Sequence, residues 1–195
     1  MKAKNSLWLI TLLALSSAYG GGDIVYEEPT ETVSTTSNVG RNGPFVGFEG
    51  SYVFDMQSNV GGNSVSSTGG ASFGVDVGAK ENCWRALVGF EHYSNDTDGQ
   101  SYDRTFIQGD YFPLDESYSM GNLMVNPYVG VNVGWLNYKG DGDKSQKGFS
   151  YGGEAGFTKS FGDNWDMDMG LRYILSDIED VDHIGTVNMG LHYYY

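Results

Sequence analysis

Three histidines are spread through the chain, and one of them stands in a setting that suggests chemistry. His92-Tyr93-Ser94-Asn95 brings a hydroxyl close in sequence to an imidazole, the partnership by which a general base activates a serine nucleophile. A working triad also needs a carboxylate to orient the histidine, and the stretch that follows offers Asp96, Asp98 and Asp103 but no glutamate. The plainer reading is a polar strand end running into a loop. Asp96-Thr97-Asp98-Gly99 opens like a calcium loop, yet Thr105 occupies the place of the bidentate glutamate, so a solvated turn is expected there. Cys83 has no cysteine partner and reads as a small, half-buried residue beside a turn. No cofactor and no resident metal are expected.

The elements that must position these residues come from hydropathy patterning. Lys2 and Lys4 precede an uncharged apolar run from Leu7 to Leu15, and Ser16, Ser17, Ala18 and Gly20 follow, which is the layout of an export signal over residues 1–20. That run is far shorter than the roughly 20 apolar residues of a spanning helix, and no later segment approaches that length. Residues 21–43 are polar and without periodicity, and read as a flexible periplasmic segment. From Pro44 to Tyr195 the chain breaks into about eight alternating segments of the length that crosses a bilayer as tilted strands.

Side chains in a strand alternate between two faces, so the outward set of each segment can be read directly. The first strand offers Val46, Phe48, Tyr52, Phe54 and Met56; the second Ala71, Phe73, Val75, Val77 and Ala79; the third Trp84, Ala86, Val88 and Phe90. The fourth, weakest, offers Thr105, Ile107, Gly109 and Tyr111, whereas the fifth sets Val129, Val131, Val133 and Trp135 between inward glycines and asparagines. Phe149, Tyr151, Ala155 and Phe157 mark the sixth, and Trp165, Met167, Met169, Leu171, Tyr173 and Leu175 the seventh. The eighth presents Val187, Met189, Leu191, Tyr193 and Tyr195, and its terminal alternation suits a C-terminal barrel-insertion signal read by the barrel-assembly machinery after delivery by periplasmic chaperones. The fold class expected is all-β, a closed antiparallel up-and-down transmembrane barrel.

Connections alternate in length. Glu81-Asn82 and Gly162-Asp163-Asn164 are tight turns, while the stretches 57–68, 95–101, 139–147 and 177–183 are longer and polar. Short turns belong on the periplasmic side and long loops outside. Pro113 to Asn122 is longer than a tight turn and fits this rule least well. Trp84, Tyr111 and Trp165 then form an inner aromatic girdle, with Tyr52, Phe73 and Trp135 forming the outer one.

The inward positions carry charge: Glu49, Asp55, Asp76, Glu91, Asp110, Glu154, Asp166 and Asp168 against Lys80, Arg85, Arg104 and Arg172. Centring the tight turn on Asp163 sets Glu154 opposite Arg172, Glu91 falls opposite or nearly opposite Arg104, and Asp76 is expected diagonal to Arg85. An eight-stranded barrel is just wide enough for side chains to fill, which favours a packed, salt-bridged interior. The excess of inward acids leaves open a narrow cation-favouring pore. The acidic loop Asp177 to His183 and the stretch Lys139 to Lys144 would, on a second reading, hold divalent ions that bridge lipopolysaccharide phosphates; the plain one is solubilising loops.

With 29 glycines, 14 tyrosines and only four prolines, and a mean hydropathy of -0.35, the composition suits a barrel in which only alternate residues meet lipid. Loss of Lys2 and Lys4 takes the net charge from -14 to -16, which disfavours nucleic acid as a partner. Outer-membrane lipids and lipopolysaccharide are the expected surroundings, and a monomer is the expected state.

Asn126-Pro127-Tyr128-Val129-Gly130-Val131, Leu171-Arg172-Tyr173 and the final aromatic together resemble the small outer-membrane barrels of Gram-negative bacteria: the OmpA transmembrane domain, OmpX and the opacity-type surface antigens. The resemblance covers Pro44 to Tyr195 and implies residence in the outer membrane with a structural or surface-interaction role. With Tyr195 as the last residue of the final strand, the peptidoglycan-anchoring role of full OmpA proteins is not expected of this chain. The His92 to Asn95 stretch separately resembles the His-x-Ser-Asn motif of lipid A deacylases of the PagL type, which implies a hydrolase using His92 and Ser94. That family carries its motif near the C-terminus with a glutamate downstream, and this chain does neither.

Overall fold

A computed structural model describes residues 41–195, apart from 61–62, 68, 96–98, 115–117, 121–122 and 141–144. Residues 1–20, where an export signal is expected, most of the polar segment after them, Asp96, Asp98 and the centre of the Lys139 to Lys147 stretch lie outside the described residues.

Ten strands run in chain order: β1 (Gly43–Val60), β2 (Asn63–Ser67), β3 (Ala71–Glu81), β4 (Trp84–Asn95), β5 (Gln100–Tyr111), β6 (Tyr118–Met120), β7 (Leu123–Lys139), β8 (Ser145–Phe161), β9 (Trp165–Ser176) and β10 (Val181–Tyr194). Eight of them, β1, β3, β4, β5, β7, β8, β9 and β10, pair antiparallel in succession, and β10 closes on β1. The result is a closed barrel with no free edge among those eight. β2 doubles back on the upper part of β1, pairing Met56 with Ser67 and Val60 with Asn63, so most of the expected first loop is a hairpin extension. β6 pairs with the start of β7, which explains why the connection after β5 exceeds a tight turn.

Strand alternation sorts the side chains as expected over most of the barrel. Phe73, Val75, Val77, Val129, Val131 and Leu171 are all at least half exposed on the outer wall. Between them in sequence, Asp76, Arg85, Glu91, Arg104, Glu154 and Arg172 are buried. Trp84 stacks beside Tyr111 (ring centroids 4.8 Å) and Trp165 beside Tyr193 (4.9 Å), giving an aromatic band at the short-turn end.

The turns that set this register are local. Asn82 and Cys83 form the two-residue connection between Glu81 and Trp84, one residue later than the sequence suggested, with Asn82 at φ 53° in the left-handed region that such hairpin turns require. The Asn82 amide donates to the side-chain oxygen of Asn42 at 2.9 Å. Arg41 reaches the other short turn, donating to the carbonyls of Gly162 and Trp165 and lying 3.4 Å from Asp166. Residues 41 and 42 thus tie the start of β1 to both turns.

One strand breaks its alternation. Val53 pairs with Thr186 and Asp55 with Gly185, so Phe54 is an extra residue on β1. Such a bulge moves every later side chain to the opposite face. Met56, expected outside, is fully buried; Asp55, expected inside, is 43% exposed and pairs with His183 at 3.1 Å.

Candidate functional site

The barrel interior is filled in layers. In the middle layer Arg172, projecting from β9, donates from both terminal nitrogens to the two carboxylate oxygens of Glu49 at 2.6 Å and from Nε to Glu154 at 2.7 Å. Glu154 and Arg172 are direct cross-strand partners. Glu154 also accepts from the Tyr128 hydroxyl at 2.5 Å and the Asn188 amide at 2.7 Å. Glu91 stands opposite Arg104, although its nearest bonds come from Ser72 (2.7 Å) and Tyr102 (2.9 Å), and Arg104 lies 4.0 Å away while donating to Ser150 and Asn132. The Arg104 and Arg172 guanidiniums flank the Phe106 ring at 4.7 and 5.2 Å.

A second layer lies nearer the short turns. Arg85 donates to Asp110 at 2.7 Å and to Asp168 at 2.5 Å. Asp76 does not meet Arg85: Lys80 is the residue opposite Arg85, and Asp76 instead approaches His192, 3.3 Å away on β10. His192 also lies 3.5 Å from Asp168, so the histidine connects two acids. Lys80 sits 3.7 Å above the Phe112 ring, which also packs on Tyr128, and the Phe112 amide donates to the Cys83 carbonyl. Phe112 thereby covers the layer from the connection that follows β5.

Towards the long loops the filling changes character. Val53, Met56, Tyr93, Tyr102, Leu136, Tyr138, Ile174 and Ile184 form one buried apolar cluster, joined by Ile178 from the β9–β10 connection and Val181 at the start of β10. That connection is tied to β8 and turns Ile178 inward as a lid on the cluster: Asp177 accepts from the Phe149 amide at 2.5 Å, its own amide donates back to the Phe149 carbonyl, and Asp180 accepts from Gln146. Sequence reading did not reveal this lid, and the acids assigned to divalent ions hold part of it in place. Among the described residues no group of three or more His, Cys, Asp or Glu is arranged to hold a metal ion.

The outer wall carries the other candidates. His92 and Ser94 are exposed neighbours on one face of β4. His92 Nδ1 lies 2.7 Å from Asp103, its direct partner on β5, while Ser94 stands opposite Ser101. Sequence offered three candidate acids for this histidine, and the β4–β5 register brings in Asp103. Met189, Leu191 and Tyr195 are exposed on the outer wall and Tyr193 is half-buried against Trp165.

No protein-family model matches the chain, and no curated protein matches it. Solved structures do. Neisserial surface protein A matches with a TM-score of 0.61 at 18% identity, over 78% of this chain and 97% of that one. The N-terminal β-barrel domain of Pseudomonas aeruginosa OprF gives 0.52 at 13% identity, over 78% and 100% of the two chains. The outer membrane protein OprG, also from Pseudomonas aeruginosa, gives 0.52 at 15%, over 78% and 97%. This chain therefore shares the fold of small outer-membrane barrels, at a sequence distance where likeness speaks for fold alone.

Proposed function

We propose that this chain is a Gram-negative outer-membrane barrel with a closed lumen, whose work is structural and done at its lipid-facing wall and external loops. Closed antiparallel topology, an apolar belt between aromatic bands and polar groups inside are what a bilayer demands of a spanning sheet. The fold neighbours from outer membranes support the same location.

The observation that carries the closed lumen is its filling in series. An apolar lid containing Ile178 and Val181 lies over the Arg172 layer, and the Arg85 layer below is covered by Phe112. An ion following the inward acids would have to displace both apolar ends and two sets of paired charges. This counts against the narrow cation-favouring pore that the acid excess suggested. Single-channel recording of the refolded protein in a planar bilayer, in potassium chloride, tests the reading: silence from a demonstrably folded sample is expected. Reproducible cation-selective steps would replace this reading with a channel.

One observation favours a second reading. His92 holds a carboxylate partner on its Nδ1 side, as a serine-activating histidine does, and Ser94 shares its face. A hydrolase acting on lipid esters at the rim would use this trio. Mass spectrometry of lipid A from cells making the wild type or Ser94→Ala decides it. A loss of acyl chains that depends on Ser94 would establish the hydrolase, and identical lipid A would remove it.

A further inference from the structure

Basic residues are distributed unevenly over the outer wall. Among the described residues, Lys80, Arg85, Arg104 and Arg172 are buried in the lumen, and Arg41 and Lys159 lie at the short-turn end. The remaining pair, Lys139 and Lys147, is at the long-loop end on neighbouring strands, and both are exposed.

Register puts them on the lipid side. Lys139 continues the outward row Val131, Val133, Trp135 of β7, and Lys147 lies directly before Phe149 in the outward row of β8. Asn137 is paired with Lys147, and Lys139 with Ser145, whose hydroxyl donates to Asn137 at 2.8 Å. Trp135 and Phe149, themselves cross-strand partners and both exposed, form the aromatic step just below. Neither lysine has an ion pair with a described carboxylate. The acid next along this row, Asp103, is turned to His92.

We propose that Lys139 and Lys147 together bind the phosphate groups of a phosphorylated glycolipid, lipid A, in the leaflet around the long-loop end. The proposal rests on the reading that the apolar belt faces a bilayer. Lysine stems lie along apolar surface while the ammonium rises to the headgroup level, where Trp135 already marks the boundary. The rest of this rim carries exposed acids, including Asp55 and Asp182, which repel an anionic headgroup. Among the described residues of this rim, the β7–β8 face is thus the one that favours an anionic lipid. The acyl chains of the same lipid would lie over Trp135, Phe149 and Tyr151, and the neutral Asn137 and Ser145 between the lysines supply hydrogen bonds to phosphate or sugar oxygens.

The test uses the full exported chain refolded in uncharged detergent micelles. Micelles are doped with bisphosphorylated lipid A or with the same lipid A after removal of its phosphates, and bound lipid is counted by native mass spectrometry. Phosphorylated lipid A should be retained and the dephosphorylated form should not. Lys139→Ala and Lys147→Ala should each weaken retention roughly five-fold, as expected for one juxtamembrane cation. Lys159→Ala, at the opposite end, should leave it unchanged. Equal retention of both lipids, or a Lys139→Ala/Lys147→Ala double variant that binds like the wild type, overturns the site. A circular-dichroism and heat-shift check on every sample separates the two levels of failure: a chain that does not form a barrel in micelles overturns the membrane reading itself, whereas a folded barrel without phosphate discrimination overturns this proposal alone.

Discussion

Arg172 and Glu154 face each other directly across β9 and β8, with Nε and Oε2 2.7 Å apart. The same guanidinium holds both oxygens of Glu49 and lies 3.6 Å from Glu91, so this cation faces three carboxylates in a largely buried layer and shares Glu91 with Arg104. Removing one partner from such a set leaves buried charge uncompensated, which costs about 3–5 kcal/mol. Arg172→Glu, which adds a fourth carboxylate, should lower the stability of the refolded barrel by at least this much in urea titrations in micelles. Glu154→Gln should cost less, because Tyr128 and Asn188 still find an oxygen to donate to. An Arg172→Glu variant as stable as the wild type would mean the interior is hydrated and the pairing is incidental.

Phe106 lies between two glycines. It pairs with Gly89 on one side and Gly134 on the other, and a Cβ on Gly89 would come within 2.5 Å of its ring, one on Gly134 within 2.9 Å of its own Cβ. Filling the place a neighbouring ring occupies forces strained side chains, at a cost of typically about 1–3 kcal/mol. Gly89→Ala should therefore destabilise the barrel in that range. Gly109→Ala, at an outward position on β5 with open space around it, should change little. The difference in urea midpoint between these two variants is the measurement.

The eight crossing segments were legible because a strand with polar residues inside and apolar residues outside writes its own period. The same alternation exposed Glu154, Arg172, Glu91 and Arg104 as lumen residues; the turn centred on Asp163 gave the pairing of Glu154 with Arg172, whereas placing the other tight turn one residue early set Asp76 wrongly diagonal to Arg85. His192 and Asp76 were not legible as a pair, since they sit on β10 and β3 and meet over Gly47 of the β1 strand between them, and no local spacing encodes a contact that skips a strand. Nor was the apolar lid. Near the long-loop end both faces turn apolar, as in Val53 and Phe54 or Ile174 and Tyr173, and alternation then carries no information about side.

If the lid and the charge layers seal the lumen in series, opening one of them is not enough to conduct. Ile178→Ser removes a buried apolar contact from the mouth, where truncating such a residue costs about 2–5 kcal/mol when the surroundings cannot collapse. In a planar bilayer this variant should stay silent, because the Arg172 layer beneath is untouched. Its effect should instead show as faster hydrogen exchange in residues 177–183. Ion conductance through Ile178→Ser would assign the whole seal to the lid.

The bulge at Phe54 makes the last prediction, because it inverts the expected environment of two adjacent residues. Gly185 has no Cβ where the Phe54 ring lies, within 2.9 Å of that position, so the extra residue is accommodated on the outer wall and the chain beyond it turns over. Met56 enters the apolar cluster and Asp55 leaves the lumen for His183, whose ring stacks on Tyr173 at 5.3 Å. Met56 should therefore be shielded from the bilayer although a period of two drawn from Val46 places it there. A tryptophan at Tyr52 should be quenched by bromine-bearing lipids, whereas one at Met56 should not be, and Met56→Ala should cost about 2–5 kcal/mol as a buried truncation instead of the small amount expected at a lipid-facing site. Deleting Phe54 would join Val53 to Asp55 in regular pairing with Thr186 and Gly185, and strict alternation would then keep Asp55 outside and Met56 inside. That deletion should therefore cost about as much as Phe54→Ala and leave Met56 shielded, and a tryptophan at Met56 that becomes quenched in the deletion variant would show that the bulge does not set the register of the upper barrel.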